Sequence, residues 1–141
     1  MIANCFIAAS GLNLTLKDTC SLIVDSGAGK TIITILKNKN IKENDILDVA
    51  GIDFDKAIAT YLSSTYNLKI TLSEAEKLRI DYVDLREIST LNKKIKITGK
   101  DKQTKGVKEI NIDKQELINC ILPNIDFIVY RIHRQLDSML N

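Results

Sequence analysis

The stretch SLIVDSGAGKTIIT, from Ser21 to Thr34, decides the fold of this 141-residue chain. It begins with apolar residues that predict a buried strand. It continues into Thr31–Leu36, which is rich in β-branched residues and predicts a second strand. The small residues between them include glycine, which is typical of a tight reversal between paired strands. We therefore expect an antiparallel hairpin whose loop extends from Asp25 to Lys30.

The loop between these strands is suited to an anion as well as to a turn. Gly27, Ala28 and Gly29 place no bulky side chain between the backbone N–H groups and a ligand. Those N–H groups can close on a phosphate, and Lys30 adds a positive charge. Asp25, at the end of the first strand, can hold a divalent cation through water. An ordinary hairpin turn explains the same residues.

The three residues from Gly29 to Thr31 match the end of a Walker A phosphate loop. That motif requires another glycine five positions before its last one, and Val24 stands there. It also requires a helix directly after the loop, whereas the segment that follows is predicted to be extended. Spacing and context both argue against a P-loop protein.

The next segment predicts a third strand and a helix. Lys37–Asn44 is polar and predicts a turn, and Asp45–Ala50 predicts the strand. Asp53 is expected to cap a helix that extends to Asn67. Asp53 and Asp55 also fit a metal pair, but the helix dipole favours acids at a helix start, so capping is the better interpretation for both. The apolar stripe of this helix consists of Phe54, Ile58, Tyr61, Leu62 and Thr65.

A second helix follows a short extended segment, and two capping boxes compete for its start. Ser73 with Glu76 fits the rule, and so does Thr71 with Glu74. Glu76 and Arg79 lie one turn apart on the same face of this helix. From spacing alone, an exposed ion pair is the simplest interpretation.

A lysine-rich hairpin is predicted next, with its turn at Gly99–Gly106. Ile95 and Ile97 alternate with lysines before the turn, and the apolar residues after it are Val107, Ile110 and Ile112. Seven lysines lie between Lys93 and Lys108. Nucleic-acid binding would call for aromatic residues or a groove-entering helix, and this stretch has neither. Lysine on an exposed strand also blocks edge pairing. A solvated hairpin is therefore expected.

The final helix is predicted to begin at Lys114, after a capping signal formed by Asp113 and Glu116. Pro123 predicts a kink or a break. His133 is the only histidine and is expected on the surface, not as a ligand or a catalytic group. The apolar stripe of the helix consists of Leu117, Ile118, Ile121, Leu122, Ile125, Ile128, Val129, Ile132 and Leu136.

Composition places the chain among globular domains, with 45% hydrophobic and 27% charged residues. The formal charge of +2 does not indicate an acidic partner. Cys5, Cys20 and Cys120 lack the spacing of a zinc site and suggest reduced thiols in a cytoplasm. Residues 3–9 suit the tail of a helix, and no apolar run approaches the length of a membrane span.

Three motifs in order resemble the bacterial actin homologue MreB. They are the glycine loop, DVAGIDFDKAIATYL at Asp48–Leu62, and SEAEKLR at Ser73–Arg79. The family writes them as D-x-G-G-G-T-T, G-G-D-x-x-D-x-x-I and an A-E-x-x-K helix. The resemblance implies an α/β fold of the actin-like ATPase (ribonuclease H-like) class, with a β-β-β-α core and a small helix and hairpin subdomain. It covers subdomain II only, with residues 1–72 and 113–141 as the IIA-like core and 73–112 as the IIB-like insertion.

The resemblance also implies a nucleotide site. Glu76 corresponds to the residue that meets the ribose, and Arg79 to the one that meets the adenine. Asp25 would hold Mg²⁺ beside ATP. The residues implied in phosphate binding are Asp25, Gly27, Ala28, Gly29, Lys30 and Thr31.

The chain departs from an active member of the family. It lacks the D-x-G-T loop of the other lobe, the later G-G motif and the catalytic glutamate, and Lys30 replaces a threonine thought to orient water. We expect a weak nucleotide binder that is not a competent ATPase alone. The implied function is part of a cell-shape cytoskeletal protein that self-associates, contacts filament subunits or joins a separately encoded first lobe. The alternative is a degenerate module that binds filaments or partners without hydrolysis. Neither nucleic-acid binding nor membrane insertion is expected.

Overall fold

The computed structural model describes residues 20–38, 40–85 and 93–140. The expected helical tail at residues 3–9 and Cys5 lie outside these residues. The described residues form two compact units, one containing residues 20–50 with 126–140 and the other residues 51–125. The assignment of actin-type subdomains to the chain stays a prediction.

The secondary structure follows the predicted order of a β-β-β-α unit, a helix, a hairpin and a long helix. The strands of the first unit are β1 (Cys20–Ser26), β2 (Thr31–Lys37) and β3 (Asn40–Leu47). The second unit contains α1 (Gly51–Tyr66), β4 (Leu68–Lys69), α2 (Leu72–Tyr82), β5 (Lys94–Asp101) and β6 (Val107–Asp113). The long helix α3 (Lys114–Leu140) begins in the second unit and ends in the first.

The sheet of the first unit is antiparallel, with β2 between β1 and β3. Because β2 has a neighbour on each side, its side chains are buried from Ile33 to Leu36. The register pairs Ser26 with Thr31, which leaves four residues to connect the strands. This confirms the hairpin that the opening stretch predicts. The expectation of a buried first strand is wrong, because Ile23 is the single buried residue of β1.

The third strand begins earlier than its sequence indicates. A polar turn over Lys37–Asn44 and a strand over Asp45–Ala50 are both wrong, because β3 spans Asn40–Leu47. Asn38, which follows β2, is in a turn and adopts a left-handed φ of 51°. Along the first half of β3 only Ile41 is half-buried, and the register slips by one residue opposite Ile35 and Leu36. An edge strand with a bulge and polar side chains resembles a turn in sequence.

The second unit has its own hydrophobic core between its helices and a sheet of order β4-β5-β6. The predicted alternation in the hairpin is confirmed for Ile95, Ile97 and Ile112, which are buried, and is wrong for Val107, which is 85% exposed. The buried core residues are Ile58, Leu62, Leu68, Ile70, Ala75, Ile95, Ile97, Ile112, Leu117 and Ile121.

The helix termini correct some of the sequence predictions. Helix α1 starts at Gly51, so Asp53 lies inside its first turn, where it pairs with Lys56 at 3.1 Å. Thr71, not Ser73, caps α2 in a complete capping box with Glu74. Helix α3 continues through Pro123, so the helix does not break there.

Gly99 on β5 lies against the backbone of the neighbouring segment. A Cβ atom at this position would be 2.8 Å from the Lys69 carbonyl oxygen and 2.9 Å from Ile70 Cγ2. The carbonyl belongs to the β4 ladder and cannot move without disturbing it. Only glycine therefore fits here.

We expect Gly99→Ala to lower the free energy of unfolding by about 1–3 kcal/mol, the usual cost of overpacking. Gly106→Ala is the control, because a Cβ atom there would meet its nearest neighbour at 3.6 Å. Urea unfolding followed by circular dichroism measures both. Equal stability of the two variants would contradict the close approach at Gly99.

The carboxylate of Glu116, in the first turn of α3, links this helix to α1 through hydrogen bonds. Glu116 Oε2 accepts hydrogen bonds from the hydroxyls of Tyr61 and Tyr66, the latter at 2.6 Å. Its Oε1 accepts from the Asp113 N–H at 3.1 Å. Burial by itself would raise the pKa of Glu116, but these hydrogen bonds outweigh it and leave the pKa lowered. The same contacts raise the pKa of Tyr61.

The lowered pKa of Glu116 determines how the free energy of unfolding changes with pH. The unfolded chain takes up the proton at a higher pH, so the stabilisation is complete above about pH 4.5 and is lost as the pH falls through the lowered value. Glu116→Gln should therefore be less stable than the parent chain at neutral pH. We expect the difference to shrink as the pH falls below about 4.5. Urea unfolding between about pH 3 and pH 7 measures this, and a pH-independent difference would contradict it.

Candidate functional site

The base of the glycine loop is closed by a chain of hydroxyl groups. Thr31 Oγ1 donates to the Val49 carbonyl oxygen at 2.7 Å and lies 2.9 Å from Ser26 Oγ. A hydroxyl has one proton, so Ser26 is the donor to Thr31. Thr31 is fully buried, so its hydroxyl supports the loop from beneath.

The loop itself, residues 27–30, is exposed and leads into a strand. The Gly27 N–H donates to the Lys30 carbonyl oxygen at 2.9 Å. The expectation that the reversal needs glycine is wrong, since no described glycine has a positive φ. A Cβ atom at Gly29 would meet nothing within 4 Å, and one at Gly27 only the Lys30 carbonyl oxygen at 3.6 Å. Neither conformation nor packing requires the two glycines.

Charged side chains lie beside the loop. Lys30 Nζ is 3.5 Å from an Asp48 carboxylate oxygen, and both side chains are largely exposed. Such a pair contributes little and leaves the ammonium available. Asp25 is exposed near the end of β1. Within residues 20–38, 40–85 and 93–140 no three metal-binding side chains come together, so Asp25 would need oxygen ligands from a bound molecule or water to hold a cation.

In the second unit Arg79 forms a bidentate ion pair with Asp55. Arg79 Nε and Nη2 donate to the two carboxylate oxygens at 2.7 and 3.3 Å. The Asp55 side chain is only 7% exposed and that of Arg79 is 24% exposed. The hydrogen bond to Asp55 raises the pKa of Arg79 and holds the guanidinium in a fixed orientation.

The predicted ion pair of Glu76 and Arg79 is present. Its distance of 3.9 Å, from Arg79 Nη2 to Glu76 Oε1, exceeds the 2.7 Å between Arg79 and Asp55, and Glu76 is half-exposed. The assignment of Asp55 to a helix cap is wrong, because its carboxylate is buried against α2. The sequence contained a signal, since Asp55 lies on the same face of α1 as Ile58 and Leu62. An acid on an apolar stripe needs a buried partner.

Arg79 also borders a concave pocket of about 640 Å³ in the second unit. Phe54, Tyr82 and Ile125 contribute to its wall, so aromatic and aliphatic surface lies next to the guanidinium. A flat heteroaromatic group is chemically suited to such a wall.

The structure thus brings the proposed site residues together in two groups. The six residues proposed to bind phosphate lie in the loop of the first unit and at its ends, and Glu76 and Arg79 lie in the second unit. Other sequence predictions agree with the structure. His133 is exposed, and Cys20 and Cys120 are free thiols. Burial raises the pKa of Cys120 to about 11, which makes this thiol unreactive near neutral pH.

Comparison with known proteins identifies the family. The family model described as "MreB/Mbl protein" matches residues 1–140. The chain belongs to the MreB/Mbl family.

Individual proteins that are similar to the chain agree with this. A cell shape-determining protein Mbl of Bacillus cereus is 26% identical over 124 residues, covering 87% of this chain and 37% of the relative. The crystal structure of MreB 5 of Spiroplasma citri bound to AMPPNP matches with a TM-score of 0.84 and 27% identity, over 93% of this chain and 39% of that one. A non-polymerising MamK mutant bound to AMPPNP shares the fold, with a TM-score of 0.70 and 22% identity over 94% and 39% of the two chains.

The chain therefore has an actin-like α/β fold of the MreB type and spans well under half the length of these relatives. The described helices include none that is both long and apolar enough to cross a membrane.

We expect Asp55→Ala to lower the free energy of unfolding by about 3 kcal/mol, because it leaves the Arg79 charge desolvated and unpaired. Glu76→Ala, on the exposed side of the same arginine, should change it by less than about 1 kcal/mol. Urea unfolding measures both.

The double variant Asp55→Ala/Arg79→Met completes the test, because it removes the unpaired charge. It should be more stable than Asp55→Ala alone. Additive losses would contradict a coupled pair.

Proposed function

We propose that this chain forms one side of an ATP and Mg²⁺ site in an actin-like cytoskeletal protein that determines bacterial cell shape. The observation that supports this most directly is the glycine loop. Gly27 and Gly29 are exposed, and neither their φ values nor their surroundings require glycine. Close approach of a ligand to the backbone is the remaining physical reason for two glycines here.

In this proposal the loop binds phosphate. The Gly27 N–H is engaged by the Lys30 carbonyl oxygen, so the N–H groups of Ala28 and Gly29 would bind the anion. No side chain obstructs its approach, and Lys30 would add a positive charge. Thr31 holds the end of the loop through its buried hydroxyl. Asp25 would hold Mg²⁺ through water. Bound ATP would supply the phosphoanhydride, and Mg²⁺ would neutralise the charge of its oxygens.

The nucleoside would be bound by the second group of residues. Glu76 is half-exposed and acidic, which suits the ribose hydroxyls. Arg79, fixed by Asp55, would lie against the adenine with the plane of its guanidinium. Arg79 is thereby oriented before the nucleotide arrives.

Alone, the chain is proposed to bind nucleotide weakly and not to act as a competent ATPase. One phosphate loop and one nucleoside-facing helix supply only part of the contacts, so several kcal/mol of binding energy would be absent. Lys30, in place of a threonine, does not position water in the same way. A general base contributes about 100- to 10,000-fold in rate, and none is assigned among the described residues.

We further propose that the protein works in the cytoplasm and assembles with copies of itself, with MreB-like filament subunits or with a separately encoded first lobe. Residues 1–72 and 113–141 would form the IIA-like core and residues 73–112 the IIB-like insertion.

The site can be tested by titrating a fluorescent ATP analogue with Mg²⁺ onto the chain. Gly29→Val should weaken binding by at least about tenfold, because a branched side chain blocks the approach to the loop, while the melting temperature stays unchanged. Gly106→Val, in the hairpin of the second unit, is the matched control and should bind as the parent chain does. Asp25→Asn should reduce the benefit of Mg²⁺.

Equal binding by Gly29→Val and Gly106→Val would contradict the loop assignment. Absence of any binding by the parent chain would instead favour the degenerate module. The Lys30–Asp48 contact is the observation that supports this alternative, since it turns the loop lysine toward the protein's own carboxylate.

A further inference from the structure

A groove of about 460 Å³ lies on the second unit, between the β-hairpin and the start of α2. We call it the lysine groove, after Lys69, Lys100 and Lys105 in its wall; Ile70 and Val107 give it an apolar side. Its volume is in the range of about 300–1,000 Å³ that is usual for binding pockets. The nucleotide proposal uses none of these residues.

Three of these residues form one row across the sheet. The register pairs Lys69 with Lys100, and Lys100 with Val107, so the three side chains lie next to one another on β4, β5 and β6. All three residues are exposed. Like charges directly opposite on neighbouring strands destabilise a sheet. The fold therefore gains nothing from the pairing of Lys69 with Lys100.

Lys105 is also unfavourable for the fold. It has a left-handed φ of 63° in the hairpin turn, where glycine or asparagine is preferred. Its ammonium donates to the Lys102 carbonyl oxygen at 2.8 Å, which leaves the charge uncompensated. Residues that cost stability in this way are concentrated at functional sites.

The acids close to the groove are engaged elsewhere. Glu74 caps α2, accepting from the Thr71 N–H at 2.7 Å and the Thr71 hydroxyl at 2.8 Å. Asp101 accepts from backbone N–H groups of the turn and pairs with Lys108 at 3.0 Å, and these contacts lower the pKa of Asp101 to about 2. Over the described ranges, neither Lys69 nor Lys100 has a carboxylate within 4.0 Å.

One apolar residue of the groove wall is exposed to an unusual degree. Val107 is 85% exposed, whereas Ile70 belongs to the buried core. Elsewhere the outer face of the hairpin alternates lysine with polar or acidic residues, as a solvated sheet does. A valine in this setting provides a small apolar contact within a ring of positive charge.

We propose that the lysine groove binds a short acidic segment of a partner protein, with carboxylates on the three lysines and an aliphatic side chain on Val107. Charge complementarity and the apolar contact together favour this occupant. Nucleic acid is disfavoured because the described hairpin offers no aromatic ring for stacking. An anionic membrane is disfavoured because Glu109 and Asp113 lie on the same outer face and would repel it.

The experiment uses the whole chain and a fluorescein-labelled peptide that repeats Glu-Glu-Val three times, in about 0.15 M salt. Fluorescence anisotropy should show binding, and a Gln-Gln-Val peptide should bind at least about tenfold more weakly. Lys69→Gln/Lys100→Gln should weaken binding of the acidic peptide by about tenfold. Its melting temperature should be equal to or above that of the parent chain, because the repulsion between the two lysines is removed.

Lys94→Gln is the matched control. It removes the same charge from the same face of β5 but lies six positions from Lys100, about 20 Å along the strand. This exceeds the Debye length of about 8 Å at that salt concentration, so peptide binding should be unchanged. Val107→Thr, a nearly isosteric change, should weaken binding. Binding of the ATP analogue should be unchanged in all these variants, which separates this proposal from the nucleotide site.

Four results would overturn the proposal: no peptide binding, an equal loss with Lys94→Gln, tighter groove-dependent binding to phosphatidylserine vesicles, or a dimer that Lys69→Gln/Lys100→Gln dissociates. The third would assign the groove to a membrane and the fourth to a second copy of the chain.

Discussion

The hydroxyl chain from Ser26 through Thr31 to the Val49 carbonyl is the constraint on which the glycine loop depends. Burying a hydroxyl without a partner is costly, so the fully buried Thr31 can begin the central strand only because both of its hydrogen bonds are made. With its base fixed in this way, the loop needs no packing of its own. Gly27, Ala28 and Gly29 can therefore remain small and exposed.

In the second unit a buried charged group, not a hydroxyl, is held in place by its hydrogen bonds. Asp55 and Arg79 are paired through two hydrogen bonds in a mostly buried position, so the orientation of the arginine is set by the packing of α1 against α2. Glu76, at 3.9 Å and half-exposed, remains free to interact outward. The buried acid positions the arginine, and the exposed acid is available for a ligand. The spacing of Glu76 and Arg79 predicts a single ion pair between them. In the structure Asp55 orients the arginine, and Glu76 stays exposed.

The success of sequence prediction here depended on how local the determining interaction is. The first hairpin was predictable because its strands and loop are contiguous, and the inward residues of the second hairpin because alternation shows them. The start of β3 was not predictable, because its first half is an exposed edge with a bulge, and its polar sequence resembles that of a turn. Two capping boxes satisfied the same rule, and the structure shows that the helix uses the one at Thr71. The partner of Asp55 lies 24 residues away, so only the fold reveals it.

The glycines show why a motif alone does not assign a function. The sequence shows the same residue type at positions 99 and 29. A Cβ atom at Gly99 would lie 2.8 Å from a backbone carbonyl oxygen, whereas one at Gly29 would meet nothing within 4 Å. The first glycine is explained completely by the fold. The second is not explained by the fold. The same argument applies to Lys69 and Lys100, whose pairing opposes the stability of the sheet that contains them. Residues that the fold does not need are where binding should be sought.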